Sequence, residues 1–490
     1  MTYRAAVRLV RWVLRVFFRT VEVTGLENVP EDGGGLVVSW HPNALVDAAL
    51  ILVFFPRKIV FGARHGLFTW PLLGRLMRAL GTVPVYRRQD VPGDDDDARR
   101  VANQESLDAL ANAVAHGSFA ALFPEGDSHD EPGPTELKTG AARLYYRACE
   151  LAALTAENAR PVIIPVGLHY DKKRVFGSRA LVAFHPPIEL TATLAEPPDV
   201  EATHEVRRAR YRELTDELES TLRLVVHATE SWQHHFGLHR ARKIMRAERA
   251  HRAGATLKRP DMKERVLAFS RLVAGYNERV RTHPEEVEHL FERVLDYDED
   301  LRELGVEDHE LDASPRLASP WLAAILLFQA ALVYLLLPPI LILGYVANLP
   351  AALAVWGVAK SAARQHKDEA SLKLVAGVIA FPLTWIVFAL LVALGNRALQ
   401  MIYPDVPGAP VVTGLLAFCL SALGAYVALN YQRYARQTLR SINVRLTRFR
   451  RKQTLAHLRK ERGELHDAFV ELGRGLELPG TVTPDGRITH

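Results

Sequence analysis

The chain has 490 residues, 49% hydrophobic and 24% charged, with a net charge of +5. That length exceeds one ordinary domain and predicts about two to four. Its two cysteines, Cys149 and Cys419, lie far apart in unlike contexts, which excludes a disulfide framework and a cysteine zinc site and fits a reducing compartment. The positive balance favours anionic partners, whether nucleic acid, anionic lipid or phosphorylated substrates.

The charge is unevenly spread: residues 1–315 are charge-rich and 316–432 charge-poor. Within residues 1–19, Arg4, Arg8, Arg11, Arg15 and Arg19 fall within roughly 80° of a helical wheel. This predicts an amphipathic helix in a membrane interface, arginines toward headgroups; the alternative is a surface helix packed on its own domain. The arginines leave no uncharged core long enough for a signal peptide.

From residue 20 to 194 short apolar runs alternate with helical stretches. Strands are expected at Val21–Val23, Leu36–Trp40, Lys58–Phe61, Thr82–Tyr86, Phe119–Phe123, Val162–His169 and Leu181–Phe184, with helices at Asn43–Phe54, Leu67–Ala79, Asp97–Ala115 and Thr139–Ala156. The alternation predicts an α/β domain, its mixed, largely parallel sheet flanked by helices. Substrates then bind at the carboxyl ends of the strands.

Polar groups collect at those ends. His41 and Asp47 follow the strand at Leu36, six positions apart. That spacing is about 240° on a helix, so they share no helix face. His41 is therefore expected in the turn, before Pro42 opens the helix, with Asp47 one or two turns in. An imidazole can take a proton from a hydroxyl near neutral pH, and a carboxylate behind it can fix its tautomer. Arg87 and Arg88 follow the strand at Thr82–Tyr86, as solvated cations or as a bidentate phosphate clamp. Phe123-Pro124-Glu125-Gly126 ends another strand in a turn whose Pro and Gly fix its shape, and Lys138 adds a cation. Pro165 interrupts an apolar run, which suggests a sheet edge or a bend near a ligand. The acidic run Asp94–Asp97 reads as a solvated loop and helix cap, not a metal centre. No metal site is expected, and neither a P-loop nor a dinucleotide glycine pattern is present.

Residues 195–315 read as a helical accessory domain, with helices at Tyr211–Ala228, Arg240–Ala253, Arg265–Thr282 and Pro284–Leu304. The basic stretch His239–Arg252 lies among acidic residues without a binding motif, so no nucleic-acid partner is expected. His234-His235 reads as a surface pair. Leu317 to Ala359 has no charged residue, too long for one span. With Pro338-Pro339 as a turn, spans are expected at 320–337, 340–358, 374–396 and 411–430; the alternative is a single kinked span plus a partly immersed segment, because Asn348 and Pro350 weaken the second helix. With four spans, Lys360, Arg364, Lys367, Lys373 and the basic tail 433–490 fall on the side of residues 1–315. This satisfies the positive-inside pattern and predicts a multi-pass membrane protein, an inner-membrane one if bacterial, with both ends cytosolic.

His41…Asp47, Gly81…Arg87, Phe123-Pro124-Glu125-Gly126 and Ile164-Pro165-Val166-Gly167 occur in that order. This resembles the phospholipid and glycerol acyltransferase family, of the 1-acylglycerol-3-phosphate acyltransferase type. The strings His41–Asp47, Val85–Asp90 and Leu137–Arg143 are similar to the branch of fungal glycerol-3-phosphate acyltransferases. Two departures stand out. Five residues separate His41 from Asp47 where the common motif has four, a spacing the fungal-like branch shares. Asp127-Ser128 replaces the Thr-Arg that many members carry after Glu-Gly, which removes a cation.

The resemblance implies a membrane-bound enzyme of phospholipid synthesis. His41 would take the proton of a glycerol hydroxyl, oriented by Asp47, and the oxygen would attack an acyl thioester. Arg87, with Arg88 beside it, would hold the acceptor's phosphate. Glu125 and Gly126 would position its glycerol backbone, and Lys138 and Pro165 would shape the substrate cavity. The donor would be acyl-coenzyme A or an acyl carrier protein, used as co-substrate with no bound cofactor. The acceptor would be glycerol-3-phosphate or its 1-acyl derivative. Partners are then membrane lipids and these substrates. Two competing readings are a hydrolase, which leaves Arg87 without purpose, and a membrane scaffold or transporter with an inactive acyltransferase-like domain.

Overall fold

A computed structural model describes residues 2–86, 96–154, 160–173, 175–199, 201–255, 257, 259–312, 320–362, 369–405 and 408–489. The chain divides into two compact units. The first comprises residues 1–235 with 261–266 and 365–371; the second holds the remainder.

The first unit is the expected α/β domain. Helix α1 (Tyr3–Phe17) runs into β1 (Phe18–Thr24), followed by β2 (Gly35–Ser39), α2 (Leu45–Phe54), β3 (Ile59–Arg64), α3 (Pro71–Ala79) and β4 (Val83–Val85). Then come α4 (Asp96–Ala115), β5 (Phe119–Leu122), α5 (Gly140–Ala152), β6 (Val162–Tyr170), β7 (Ser178–Phe184), the short α6 (Ala192–Ala195) and α7 (His204–Val225). The seven strands form one sheet in the order β1-β7-β6-β2-β5-β3-β4. Only the β6–β7 pair is antiparallel; the others run parallel, because helices connect them.

Side-chain alternation splits the core. Leu36, Val38, Ala120 and Ile163 face α4, α5 and α7, joined there by Tyr145, Tyr146, Leu214, Leu218 and Leu222. Phe119 faces the other way, edge-on to Phe55 at the end of α2. Burying α7's leucines against the sheet places that helix in the first unit. Helix α1 rests on α2, with Ala6, Leu14 and Phe17 buried and Leu9, Trp12 and Val16 exposed between the arginines. It ends at Phe17, leaving Arg19 on β1.

Pro165 is not at an edge. It lies inside the sheet, paired with Val38 of β2. On its other side the β6–β7 ladder begins only at Val166–Phe184, and His185 N donates to Pro165 O at 3.0 Å. The missing proline N–H thus falls where β7 is leaving, which makes it tolerable.

The second unit is helical. Its helices are α8 (Trp232–Arg252, from Phe236 on), α9 (Met262–Thr282, from Leu267 on), α10 (Pro284–Leu304), α11 (Asp308–Leu311), α12 (Pro320–Ala331), α13 (Leu337–Ala362), α14 (Glu369–Ile402), α15 (Pro410–Arg450) and α16 (Lys452–Leu472). No turn forms at Pro338-Pro339. Residues 332–336 widen into a π-turn and join α12 directly to α13. A proline cannot donate to the preceding turn, and a helix that runs on through one commonly does so by widening locally. Among the described residues, two helical segments, Val375–Ile402 and Pro410–Ala428, are long and apolar enough to cross a membrane. Ala323–Leu336 and Gly344–Val358 are shorter apolar helices.

The stretch expected as a basic tail is ordered. Helix α15 continues to Arg450, and Leu455, Leu458 and Leu465 of α16 pack with Leu290, Val294, Tyr297 and Leu301 of α10. Arg462 is fully enclosed: its guanidinium donates to Glu248 at 2.9 Å, to Asp312 at 2.8 Å and to the Asp308 carbonyl at 2.7 Å.

Candidate active site

Strands β2, β5 and β6 are neighbours in parallel register, Val38 standing opposite both Leu122 and Pro165. Their carboxyl ends therefore deliver His41, Glu125 and Tyr170 to one place, as the crevice rule for α/β sheets requires. Two bonds tie β2 to β6 just before it ends: Ser39 Oγ donates to Val166 O at 2.8 Å, and Trp40 Nε1 to Leu168 O at 3.0 Å.

The turn after β2 is longer than expected. Helix α2 starts at Leu45, so Pro42 belongs to the turn and Asp47 to the first helical turn. Ala44 closes the turn at φ +46°, a backbone state that side chains disfavour and that recurs at functional sites. This conformation folds Asp47 back. Its carboxylate, fully buried, lies 2.9 Å from His41 Nδ1 and accepts the Asn43 N–H at 2.6 Å on the same oxygen. The Tyr170 hydroxyl donates to the other oxygen. Because an ionised carboxylate only accepts, Nδ1 carries the proton, and Nε2 is left as the basic nitrogen. The His41 ring stacks on Phe123, 4.0 Å between centroids and 12° from parallel.

Glu125 is enclosed beneath this pair. Its Oε2 accepts the His41 backbone N–H at 2.7 Å; its Oε1 accepts Thr135 N–H at 3.1 Å and lies 2.6 Å from His129 Nε2. His129 N also donates to His41 O at 3.1 Å. Both main-chain groups of His41 are thus held by the β5–α5 segment. Gly126, at φ +75°, lies under Lys138: an added Cβ would sit 2.6 Å from Lys138 Nζ. Asp127 pairs with Arg64, at the end of β3, at 3.6 Å.

The structure thus brings together His41, Asp47, Glu125, Gly126 and Lys138. Pro165 stays within the sheet, and Arg87 and Arg88 lie outside the described residues. Asn43, Phe123, His129 and Tyr170 belong to the site as well. His129 stood only four positions beyond Glu125 in the sequence, whereas Tyr170 carried no local signal.

Four imidazoles cluster behind this face: His169 of β6, His185, His227 and His235. The His169 and His227 rings stack 5.6 Å apart. Burial and their mutual repulsion hold His169 well below the usual imidazole range; burial first, then a neighbouring charge, takes His227 and His235 down to about 4. His235 is half-buried. Burial likewise lowers His185.

Two family descriptions match the chain: Acyltransferase over residues 20–169, and the Glycerol-3-phosphate acyltransferase 2 C-terminal domain over residues 255–474. An uncharacterized acyltransferase of Schizosaccharomyces pombe is 22% identical, over 62% of this chain and 54% of that protein. Glycerol-3-phosphate O-acyltransferases 2 and 1 of Saccharomyces cerevisiae are 24% and 27% identical, over 44% and 40% of this chain. The chain spans 26% and 24% of those two proteins' lengths. The solved 1-acyl-sn-glycerophosphate acyltransferase PlsC of Thermotoga maritima aligns at 18% identity over 45% of this chain and 79% of that one, with a TM-score of 0.30. The second match places the helical unit and its ordered α16 in a domain of known kinship, beyond the reach of the four short motifs. The chain thus carries an Acyltransferase domain at residues 20–169 and a glycerol-3-phosphate acyltransferase 2 C-terminal domain at residues 255–474.

Proposed function

We propose that the chain transfers a fatty acyl group from an acyl thioester to a hydroxyl of glycerol-3-phosphate or its 1-acyl derivative, at the surface of a membrane. The observation that carries this is the buried Asp47 carboxylate on His41 Nδ1, 2.9 Å away, which leaves Nε2 as the proton acceptor. Nε2 removes the hydroxyl proton as the oxygen attacks the thioester carbonyl. The imidazolium, stabilised by Asp47, returns the proton to the departing thiolate, so protons balance over the cycle. No side-chain nucleophile takes part, and no step is routed through a metal or an organic cofactor. The thioester of coenzyme A or of a carrier protein enters as co-substrate. Glu125 acts through His41's backbone. Lys138, and Arg87 with Arg88, supply positive charge for the acceptor's phosphate.

The kinship with yeast proteins named glycerol-3-phosphate O-acyltransferases favours the unacylated acceptor. The apolar helices Val375–Ile402 and Pro410–Ala428 support a membrane location. With the basic residues that flank them, they support cytosolic ends.

The test is the full chain in lipid nanodiscs with labelled acyl donor and each acceptor. A positioned base contributes about 10²–10⁴-fold, and His41→Ala is expected to lose that much turnover while melting like the parent. Near-parental turnover by this variant removes His41 from the mechanism.

A further inference from the structure

The Asp47 carboxylate has three donors. One oxygen takes the His41 Nδ1–H and the Asn43 N–H; the other takes the Tyr170 hydroxyl. The aspartate is fully buried, so Tyr170 is placed where water would otherwise solvate that second oxygen. We propose that Tyr170, which lies just outside the matched 20–169 segment, is a positioning residue that sets the basicity of His41 through Asp47. This inference rests on His41 acting as the base.

The surroundings make the phenol a fixed donor. Its ring stacks on Phe18, 6.2 Å between centroids and 29° from parallel. Asn43, itself buried, anchors its amide on Lys173 O at 3.1 Å and bonds the Tyr170 oxygen. Burial, then the Asp47 charge, keeps the phenol protonated far above its usual range. The other titratable groups around this centre are partnered elsewhere: Glu125 with His129, Lys173 with Asp130 at 2.5 Å, and Asp171 with Arg265 at 2.6 Å and Arg179 at 3.6 Å. None of these bonds reaches the Asp47 oxygen that Tyr170 holds.

A hydrogen bond from the phenol draws charge off the carboxylate. Asp47 then attracts the imidazolium proton less strongly, and His41 sheds it at lower pH. Without the phenol, the carboxylate charge concentrates toward His41. The imidazolium persists to higher pH, and the fraction of neutral base at a given acidic pH falls. Tyr170 also fixes the carboxylate plane, and so the direction of the Nε2 lone pair.

The experiment compares the full-length parent, Tyr170→Phe and His41→Ala in lipid nanodiscs, with acyl-coenzyme A and glycerol-3-phosphate as the probes. It reads kcat, KM and the acidic limb of the pH–rate profile on protein whose thermal transition shows it folded. Tyr170→Phe is expected to lose about tenfold in kcat, the scale of one hydrogen bond to a charged group. Its acceptor KM should change less than kcat, and its acidic limb should move up by about half a unit. A tyrosine that only filled space would leave the limb in place. An unmoved limb overturns the proposal whatever the size of the kcat change. If the phenylalanine variant does not fold, 3-fluorotyrosine at position 170 keeps the shape and strengthens the donor. The limb then moves down, and a static limb again overturns the proposal. Activity retained by His41→Ala removes the underlying base and the proposal with it. An inactive His41→Ala beside an unmoved limb removes only the role of Tyr170.

Discussion

An ionised carboxylate offers about four lone-pair positions, and at Glu125 three are taken by the His41 amide, the Thr135 amide and His129. Its side chain is shut away from solvent, so on the proposed mechanism its effect on turnover passes through the backbone of His41. Glu125→Gln presents an NH₂ to at least one of these donors. The mismatch costs about 1–3 kcal/mol, and kcat is expected to fall about tenfold with acceptor KM nearly unchanged. Steady-state kinetics in both substrates check this; a raised acceptor KM at parental kcat would give Glu125 a direct substrate contact. At this scale the sequence was informative where chemistry is local. His41 and Asp47 stood out through the ordered motifs that follow them, since a pair six positions apart means little alone. Tyr170 did not, because 123 residues separate it from Asp47 and only the β2–β6 register closes that distance.

Elements were misread where side-chain identity outweighed context. Pro338-Pro339 reads as a chain reversal, yet both prolines follow a π-turn that carries α12 into α13 without a break. Asn348 and Pro350 read as weak points in a span. Asn348 instead ties three helices: its amide donates to Ser421 O of α15 at 2.9 Å, and it accepts Trp385 Nε1–H of α14 at 2.7 Å. Just beside it Gly344 of α13 and Gly424 of α15 meet so closely that a Cβ on Gly424 would lie 2.8 Å from Gly344 Cα. Small residues of this kind let apolar helices touch along their backbones. The α16 repeat Leu455, Leu458, Leu465 was legible at a helical period but hidden by the surrounding arginines and lysines. Arg462 lies on that same buried face. Arg462→Met removes the enclosed partner of Glu248, which keeps Arg252 at 2.8 Å, and of Asp312, which keeps Arg459 at 3.7 Å, and is expected to destabilise the helical unit by about 3 kcal/mol, the low end for a broken buried ion group. Chemical denaturation followed by hydrogen exchange in α16 measures it.

At the scale of the molecule, the imidazole cluster gives the first unit a pH dependence distinct from that of catalysis. His227 and His235 titrate near 4 when folded, against about 6.5 when unfolded. Between those values the unfolded chain binds more protons, so stability falls as pH drops from about 6.5 to 4 and levels off below. The melting temperature of the first unit should follow, by about 2–4 °C for each 1 kcal/mol lost. His227→Gln with His235→Gln should flatten that dependence in a thermal scan across the same range. The sheet order carries a further consequence. His41, Glu125 and Tyr170 all issue from its three middle strands, while β1 and β4 form its margins and β4 leads directly to Arg87. On the proposed mechanism, substitutions along the β4 margin can therefore alter the choice of alcohol without disturbing the proton-handling centre on the middle strands.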